Sequence, residues 1–415
     1  MTSFYLSTAY QPPKPPKDLP LDAPWALLGN ISPQDFMKTY WHKKPLLVRG
    51  AIPAFALAKE AGTPLSSPIS AKELIAIAGN PETESRLIQS KPWRFSQGPF
   101  PRKSIPALNS PCWTLLLQGM EARHPAAATI LSWFRFIPDA RLDDLMISIA
   151  STGGGVGPHF DSYDVFLIQM EGRRQWRIST QDDLSLNPRL PLKILQHFVA
   201  EDDWVLEPGD MLYLPPHVAH DGIALDSGCQ TWSVGFRAPS YRELLREGLW
   251  RLAESLDDIP ELAQHFADPK QEACSNPEQL PAELIKQLGN ALVKLKLDQV
   301  ATFLPGVTAY LSEPKAQAIF DAPLKPLAPH ELLREMGRHH LKPHPQTRLL
   351  SIGPLVYCNG EEMTAGQPNP TQEAWRQLSA DKALNLTPAM RSALKITEEN
   401  SLFDAYMAGW LILED

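Results

Sequence analysis

The sequence predicts a mainly β fold with added helix: a jelly-roll core, then a helical segment, then a small α+β part. Three observations carry this. From about 85 to 240, short β-branched and aromatic runs are separated by Gly, Pro and Asp turns, at the close spacing of a sandwich or barrel. After Pro239 the texture turns helical. Beyond a Pro-rich linker from Pro314 to Pro329, helical and β-like runs alternate to the end. At 415 residues the chain exceeds one ordinary domain.

The elements follow in order. Residues 1–24 contain PPKPPK, read as a stiff extended arm with no signal-peptide layout. Asn30 or Ser32 offers an N-cap and Pro33 the first position of a helix that Asp35, Phe36, Tyr40 and Trp41 continue. Pro45-Leu46-Leu47-Val48 reads as a strand. Further strands are expected at Asp144–Ile149, Val165–Met170, Arg174–Ser179, Trp204–Leu206, Met211–Leu214 and Thr231–Phe236. Tyr241, Leu244, Leu245, Leu249, Leu252 and Leu256 recur at helical steps, as do Leu284, Leu288, Leu292, Leu295 and Leu297. Spacing leaves internal packing and a dimer interface equally open for both stripes. Near the end, helix at Glu331–Met336, β-like runs at Thr347–Ile352 and Leu355–Asn359, and two amphipathic helices fit a small winged-helix-like domain.

Composition removes several function classes. The net charge of −8 disfavours a general phosphate-binding surface, and Glu361-Glu362 and Glu398-Glu399 argue against DNA binding by the C-terminal part. An acidic protein attracts a basic protein partner instead. No run approaches the roughly 20 apolar residues of a membrane span, so a cytoplasmic protein is expected. Cys112, Cys229, Cys274 and Cys358 form no CxxC pair and read as packing residues.

The segment from Gly153 to Ile178 carries the chemistry. His159 and Asp161 are two apart, so on a strand both side chains emerge on one face. They supply two-thirds of a 2-His-1-carboxylate iron site, which leaves positions for a bidentate ligand and dioxygen. HxD alone is weak evidence and needs a distant third ligand. About sixty residues on, after Pro215-Pro216, stand His217 and His220. His220 begins the next run and is preferred; His217 is the alternative. Arg174 shares a strand face with Trp176 and Ile178, and a cation there needs an anion. The 2-oxoglutarate C5 carboxylate is a bidentate match, and an ion pair with Asp164 is the plainer alternative. Gly153, Gly154, Gly155 and Gly157 lack the Lys-Ser/Thr and helix of a phosphate loop, and read as a bulged approach to the metal strand.

Asp143–Ser148 (DDLMIS), Gly153–Ile178, Leu206–Gly222 (LEPGDMLYLPPHVAHDG) and Ser233–Ser240 (SVGFRAPS) together resemble the bacterial JmjC ribosomal oxygenases of the YcfD type. The likeness extends more loosely from Trp41–Pro53 to the C-terminal part. It implies a JmjC double-stranded β-helix (jelly-roll) catalytic domain at 25–240, a helical dimerisation domain at 241–315 and a winged-helix-like domain at 316–415. It further implies an iron(II)- and 2-oxoglutarate-dependent dioxygenase that hydroxylates an arginine of large-subunit ribosomal protein L-sixteen, acting as a homodimer. Matched by motif, iron falls on His159, Asp161 and His220, 2-oxoglutarate on Arg174, and substrate on Asp144, Met146, Tyr163 and Ser233. Without the resemblance, Met146 and Ser233 read as ordinary barrel residues and Tyr163 as core. Competing readings are a histidine hydroxylase of another ribosomal protein, a small-molecule cupin oxygenase and a non-catalytic ribosome-binding adaptor. Neither direct nucleic-acid contact nor a membrane is expected.

Overall fold

The computed structural model describes residues 20–270, 279–296, 299–364 and 369–414. The Pro-rich opening as far as residue 19, Cys274 and Leu297 lie outside them. Between Ala238 and Pro239 the chain divides into two compact units.

The first unit begins with helices α1 (Pro33–Thr39), α2 (Pro53–Glu60), α3 (Ala71–Ile77) and, later, α4 (Pro125–Ser132). Ser32 caps α1, its Oγ accepting the Asp35 N–H at 3.0 Å, with Pro33 at the first position. The helix stops at Thr39, so Tyr40 and Trp41 lie beyond the helical residues instead of continuing them. The strands are β1 (Leu46–Val48), β2 (Ser85–Gln89), β3 (Arg94–Gln97), β4 (Trp113–Leu117), β5 (Leu142–Ala150), β6 (Val165–Glu171), β7 (Arg174–Ser179), β8 (Asp202–Leu206), β9 (Met211–Leu214), β10 (Ala219–Ala224) and β11 (Cys229–Phe236). Each strand expected within 144–236 is present, most of them longer by a residue or more.

Among the described residues, one sheet runs β1-β9-β6-β11-β5-β4-β2-β3 and a smaller one β10-β7-β8, every pair antiparallel. Alternation divides the larger sheet's side chains between two destinations. Leu145, Ile147 and Ile149 of β5 and Trp232 and Val234 of β11 join Phe36, Phe55, Leu74 and Ile130 of the helices in the main core. Val165 and Leu167 point the other way and meet Trp176, Ile178 and Leu206 of the smaller sheet in a second core. With cover on both faces, even β4 is buried along its whole length.

The second unit opens with α5 (Tyr241–Ser255), capped by the Ser240 Oγ accepting the Glu243 N–H at 3.2 Å, then α6 (Ala282–Lys294) and α7 (Val300–Leu311). Helices α5 and α7 approach closely because Gly248 and Gly306 face each other: a Cβ on Gly306 would stand 3.2 Å from the Gly248 carbonyl oxygen. The Leu stripe of α5 splits, with Leu244 and Leu252 half-buried while Leu249 stays 53% exposed. After α8 (Pro329–Glu335) come β12 (His340–Pro343), β13 (Leu349–Ile352), β14 (Leu355–Cys358), β15 (Glu361–Glu362), α9 (Pro370–Asp381), α10 (Pro388–Ala393), α11 (Ser401–Met407) and β16 (Leu411–Glu414). Three helices, rather than two, end the chain, since Pro388 and the Asn400 cap each start a new one. They close on a core of Trp375, Leu332, Leu341, Leu402 and Leu411. Among the described residues no helix is long and apolar enough to cross a membrane.

Truncating Trp232, fully buried in the larger sheet, should cost about 3–5 kcal/mol through lost contacts and a residual cavity. Urea unfolding of Trp232→Ala would read this as a lowered midpoint, whereas exposed Val199→Ala should shift the curve by less than about 0.5 kcal/mol.

Candidate metal and co-substrate centre

The glycine segment after β5 is a close backbone crossing. A Cβ on Gly154 would lie 2.1 Å from the Trp113 carbonyl oxygen, and one on Gly155 would lie 2.5 Å from that of Gly222. Glycine lets the chain pass between β4 and β10 where any other residue would collide with backbone. The crossing delivers residue 159 to the edge of β10. There His159 and His220 exchange two backbone hydrogen bonds, of 2.9 and 2.7 Å, as an antiparallel bridge.

That bridge fixes the geometry of the donors. The His159 and His220 rings lie 4.2 Å apart between centroids, and the Asp161 carboxylate is 3.7 Å from His220 Nε2. Donor atoms of His159, Asp161 and His220 all fall within 4.8 Å of one another. Each histidine Nδ1–H donates to a backbone carbonyl at 2.9 Å, from Gly157 and Val218 respectively. A carbonyl only accepts, so Nδ1 keeps its proton and Nε2 presents a lone pair to the cluster. Burial, and then the neighbouring His159, push the His220 pKa down to about 4. It is therefore neutral near pH 7, as a metal ligand must be. Two imidazoles and a carboxylate on one side of a cavity fit a divalent iron with open positions on the other. His217 is not in the cluster: it takes a positive φ of 67°, and its ring packs 5.8 Å from Phe160.

Arg174 is 4% exposed, and its Nε and one terminal nitrogen, Nη2, have no hydrogen-bond partner. Asp164 does not neutralise it, because that carboxylate is held elsewhere. Its Oδ1 accepts from the Tyr213 hydroxyl at 2.5 Å, and its Oδ2 lies 3.3 Å from His42 Nε2 and 3.7 Å from Arg141. The guanidinium rests beside Trp176, 5.8 Å from the ring centroid. Leaving a buried cation without an acid costs several kcal/mol unless a ligand repays it. A dicarboxylate such as 2-oxoglutarate has the complementary charge and the two acceptor oxygens the fork requires.

The cluster and Arg174 line one cavity of about 350 Å³, together with Asp144, Met146, Tyr163 and Ser233. Met146 and Ser233 are direct register partners on β5 and β11, and Asp144 faces Gly235 two rungs away. Asp144 accepts the Gly119 N–H at 3.0 Å, which orients its carboxylate. Tyr163 donates to Asp161; burial of its hydroxyl, then the Asp161 charge, hold its pKa well above the phenol range. Sequence reading missed Arg86, Thr114, Gln118 and Lys193 on the same wall. They belong to no motif, and the available signal was only the apolar run Trp113–Leu117, which announces a buried strand.

Residues 129–244 match the JmjC domain. The chain is 32% identical over 354 residues to ribosomal protein uL16 3-hydroxylase of Escherichia coli, covering 84% of this chain and 89% of that protein. The structure of YcfD, a ribosomal oxygenase from Escherichia coli, in complex with cobalt and 2-oxoglutarate superposes with a TM-score of 0.72 at 30% identity, over 92% of this chain and 98% of that one. A complex of the same protein with cobalt and succinic acid gives 0.71 at 31%, with the same coverage. With its two-sheet core and iron-type donor cluster, the chain belongs to the JmjC-domain ribosomal oxygenases, a family of metal- and 2-oxoglutarate-dependent dioxygenases.

Proposed function

We propose that this chain is an iron(II)- and 2-oxoglutarate-dependent protein hydroxylase whose substrate is an arginine of large-subunit ribosomal protein uL16. One observation carries the reading: a buried guanidinium with unspent donors shares a cavity with two histidines and a carboxylate. His159, Asp161 and His220 hold the iron, and Arg174 holds the far carboxylate of 2-oxoglutarate. Asp144 pairs with the substrate guanidinium, Tyr163 packs its face, and Met146 and Ser233 shape the slot.

Iron, 2-oxoglutarate and dioxygen together supply the oxidising power that turns a C–H bond into C–OH, with succinate and carbon dioxide as the other products. The protein's share is placement. Arg174 orients the co-substrate from the interior end, while the carboxylate of Asp144 holds the substrate cation at the other. Val165, Leu167 and Trp176 line the space between and limit water. Met146 and Ser233, neutral and adjacent, leave the charge recognition to Asp144. The net charge of −8 favours encounter with a basic ribosomal protein, and a ribosomal substrate goes with a cytoplasmic reaction.

The homodimer belongs to the same reading. Leu249 and Leu292 are each 53% exposed, Trp250 64% and Val293 75%, on helices α5 and α6. Large apolar side chains left exposed on two helices call for a cover, and a second copy of the chain supplies it.

With iron and 2-oxoglutarate present, a uL16 peptide should stimulate succinate formation and gain the mass of one oxygen atom. Asp161→Ala should abolish both without lowering the melting temperature, while His217→Ala keeps turnover within a few-fold. Full activity in the former would refute the ligand set, and hydroxylation confined to histidine peptides would redirect the substrate. Asp144→Asn keeps the shape and removes the charge; steady-state kinetics should show the peptide KM rising roughly tenfold or more, as expected for a lost charge-assisted pair. Sedimentation velocity should find a dimer that the Leu249→Glu, Leu292→Glu double variant converts to monomer. A wild-type monomer would remove the dimer from the proposal.

A further inference from the structure

Among the described residues two glycines lie inside strands, Gly222 of β10 and Gly235 of β11. Glycine weakens a strand, because it has no side chain to pack and more backbone freedom to lose, so each calls for a reason. Gly222 has a steric one: a Cβ there would stand 2.6 Å from the Trp176 ring. Gly235 has none. A Cβ on it would meet no atom nearer than 3.8 Å, which is ordinary contact, and its φ lies outside the left-handed range. The register break between Gly235 and Phe236 does not explain it either, since the extra residue, Asp143, is on β5. Every other residue of β11 is buried, and Gly235 alone is half-exposed.

Gly235 lines the cavity together with Asp144 and Tyr163. Its register partners are Asp144 on β5 and Val165 on β6, so on this face it leaves a gap in a row between a carboxylate and an isopropyl group. The point a Cβ would occupy lies 3.8 Å from Asp144 Oδ1 and 3.9 Å from Tyr163 Cε2. The gap is therefore a hollow about the size of a methyl group, floored by bare backbone and bounded by the carboxylate and the ring. An atom placed in it touches both at once. A flat cation suits such a place, with its N–H edge toward the carboxylate and its face toward the ring. The strand forgoes a favourable side chain, and the cavity gains room where charge and aromatic surface meet.

We infer that Gly235 is a specificity-determining residue: its missing side chain forms the floor of the substrate slot, and the guanidinium of the target arginine lies against it between the Asp144 carboxylate and the Tyr163 ring. The inference rests on Asp144 and Tyr163 receiving the substrate, as proposed above, and adds a requirement of shape to one of charge. A methyl group at position 235 fits the fold and fills the hollow that the substrate needs.

The test sets stability against use of the peptide. Without ligand, Gly235→Ala should melt no lower than the parent, since alanine replaces a strand glycine without a clash. Manganese(II)-loaded Gly235→Ala, titrated calorimetrically with 2-oxoglutarate, should keep an affinity close to the parent. With iron present, its KM for the uL16 peptide should rise roughly tenfold or more, the effect of one methyl group in a fitted pocket. Gly235→Val, bulkier yet favoured in strands, should lose hydroxylation and retain 2-oxoglutarate binding. Parental peptide KM in Gly235→Ala, beside a raised KM in Asp144→Asn, would overturn the role of Gly235 alone. Parental KM in both variants would overturn it together with the substrate end assigned to Asp144. A lowered melting temperature with weakened 2-oxoglutarate binding would mark Gly235 as a residue the fold requires and overturn the inference.

Discussion

The site depends on one backbone pairing, the antiparallel bridge in which residues 159 and 220 exchange two hydrogen bonds. A ligand set drawn from segments some sixty residues apart needs an anchor stiffer than the side chains themselves. The bridge gives the two imidazoles one rung and one direction, and each Nδ1–H, spent on a nearby carbonyl, fixes the ring that bears the free Nε2. Asp161, two residues on, has its own backbone anchor, its carbonyl oxygen accepting the His217 N–H at 2.7 Å. The close crossings at Gly154 and Gly155 follow from the same demand: the chain must thread between β4 and β10 to reach the bridge at all.

A second constraint is electrostatic. Two buried ionic groups, Arg174 and Asp164, lie close in sequence yet belong to different arrangements. Asp164 accepts from the Tyr213 hydroxyl and has the His42 ring and the Arg141 guanidinium nearby, so its partners lie within the protein. Arg174 has the Trp176 face and no acid. The native structure gives up stability at Arg174, a cost that a carboxylate ligand there would offset.

The larger sheet can host such a cavity because its faces have different duties. Leu145, Ile147, Ile149, Trp232 and Val234 pack on the helical layer, while the residues between them, Asp144, Met146, Ser148, Thr231 and Ser233, form the wall. A polar wall would weaken an ordinary sandwich. Here the main core lies behind it, so fold stability and site chemistry are carried by opposite faces of the same strands.

How much of this could be read beforehand depended on range. Local rules located the strands from Asp144 to Phe236, the Ser32 cap with Pro33, and the shared face of His159 and Asp161, since each is set within a few residues. They misjudged where α1 ends, because its last turn depends on packing rather than on the residues that follow, and they counted one helix too few near the C-terminus. The choice of His220 over His217 rested on the start of a run; the structure puts only His220 on a strand that pairs with residue 159. Whether Arg174 met Asp164 could not be read at all, for both lie in one motif and nothing local tells which partner each acquires. The chain by itself determined which residues share a face. The tertiary structure decided which faces meet, because pairing between distant strands is set by the burial of the whole sheet and not by any short stretch of it.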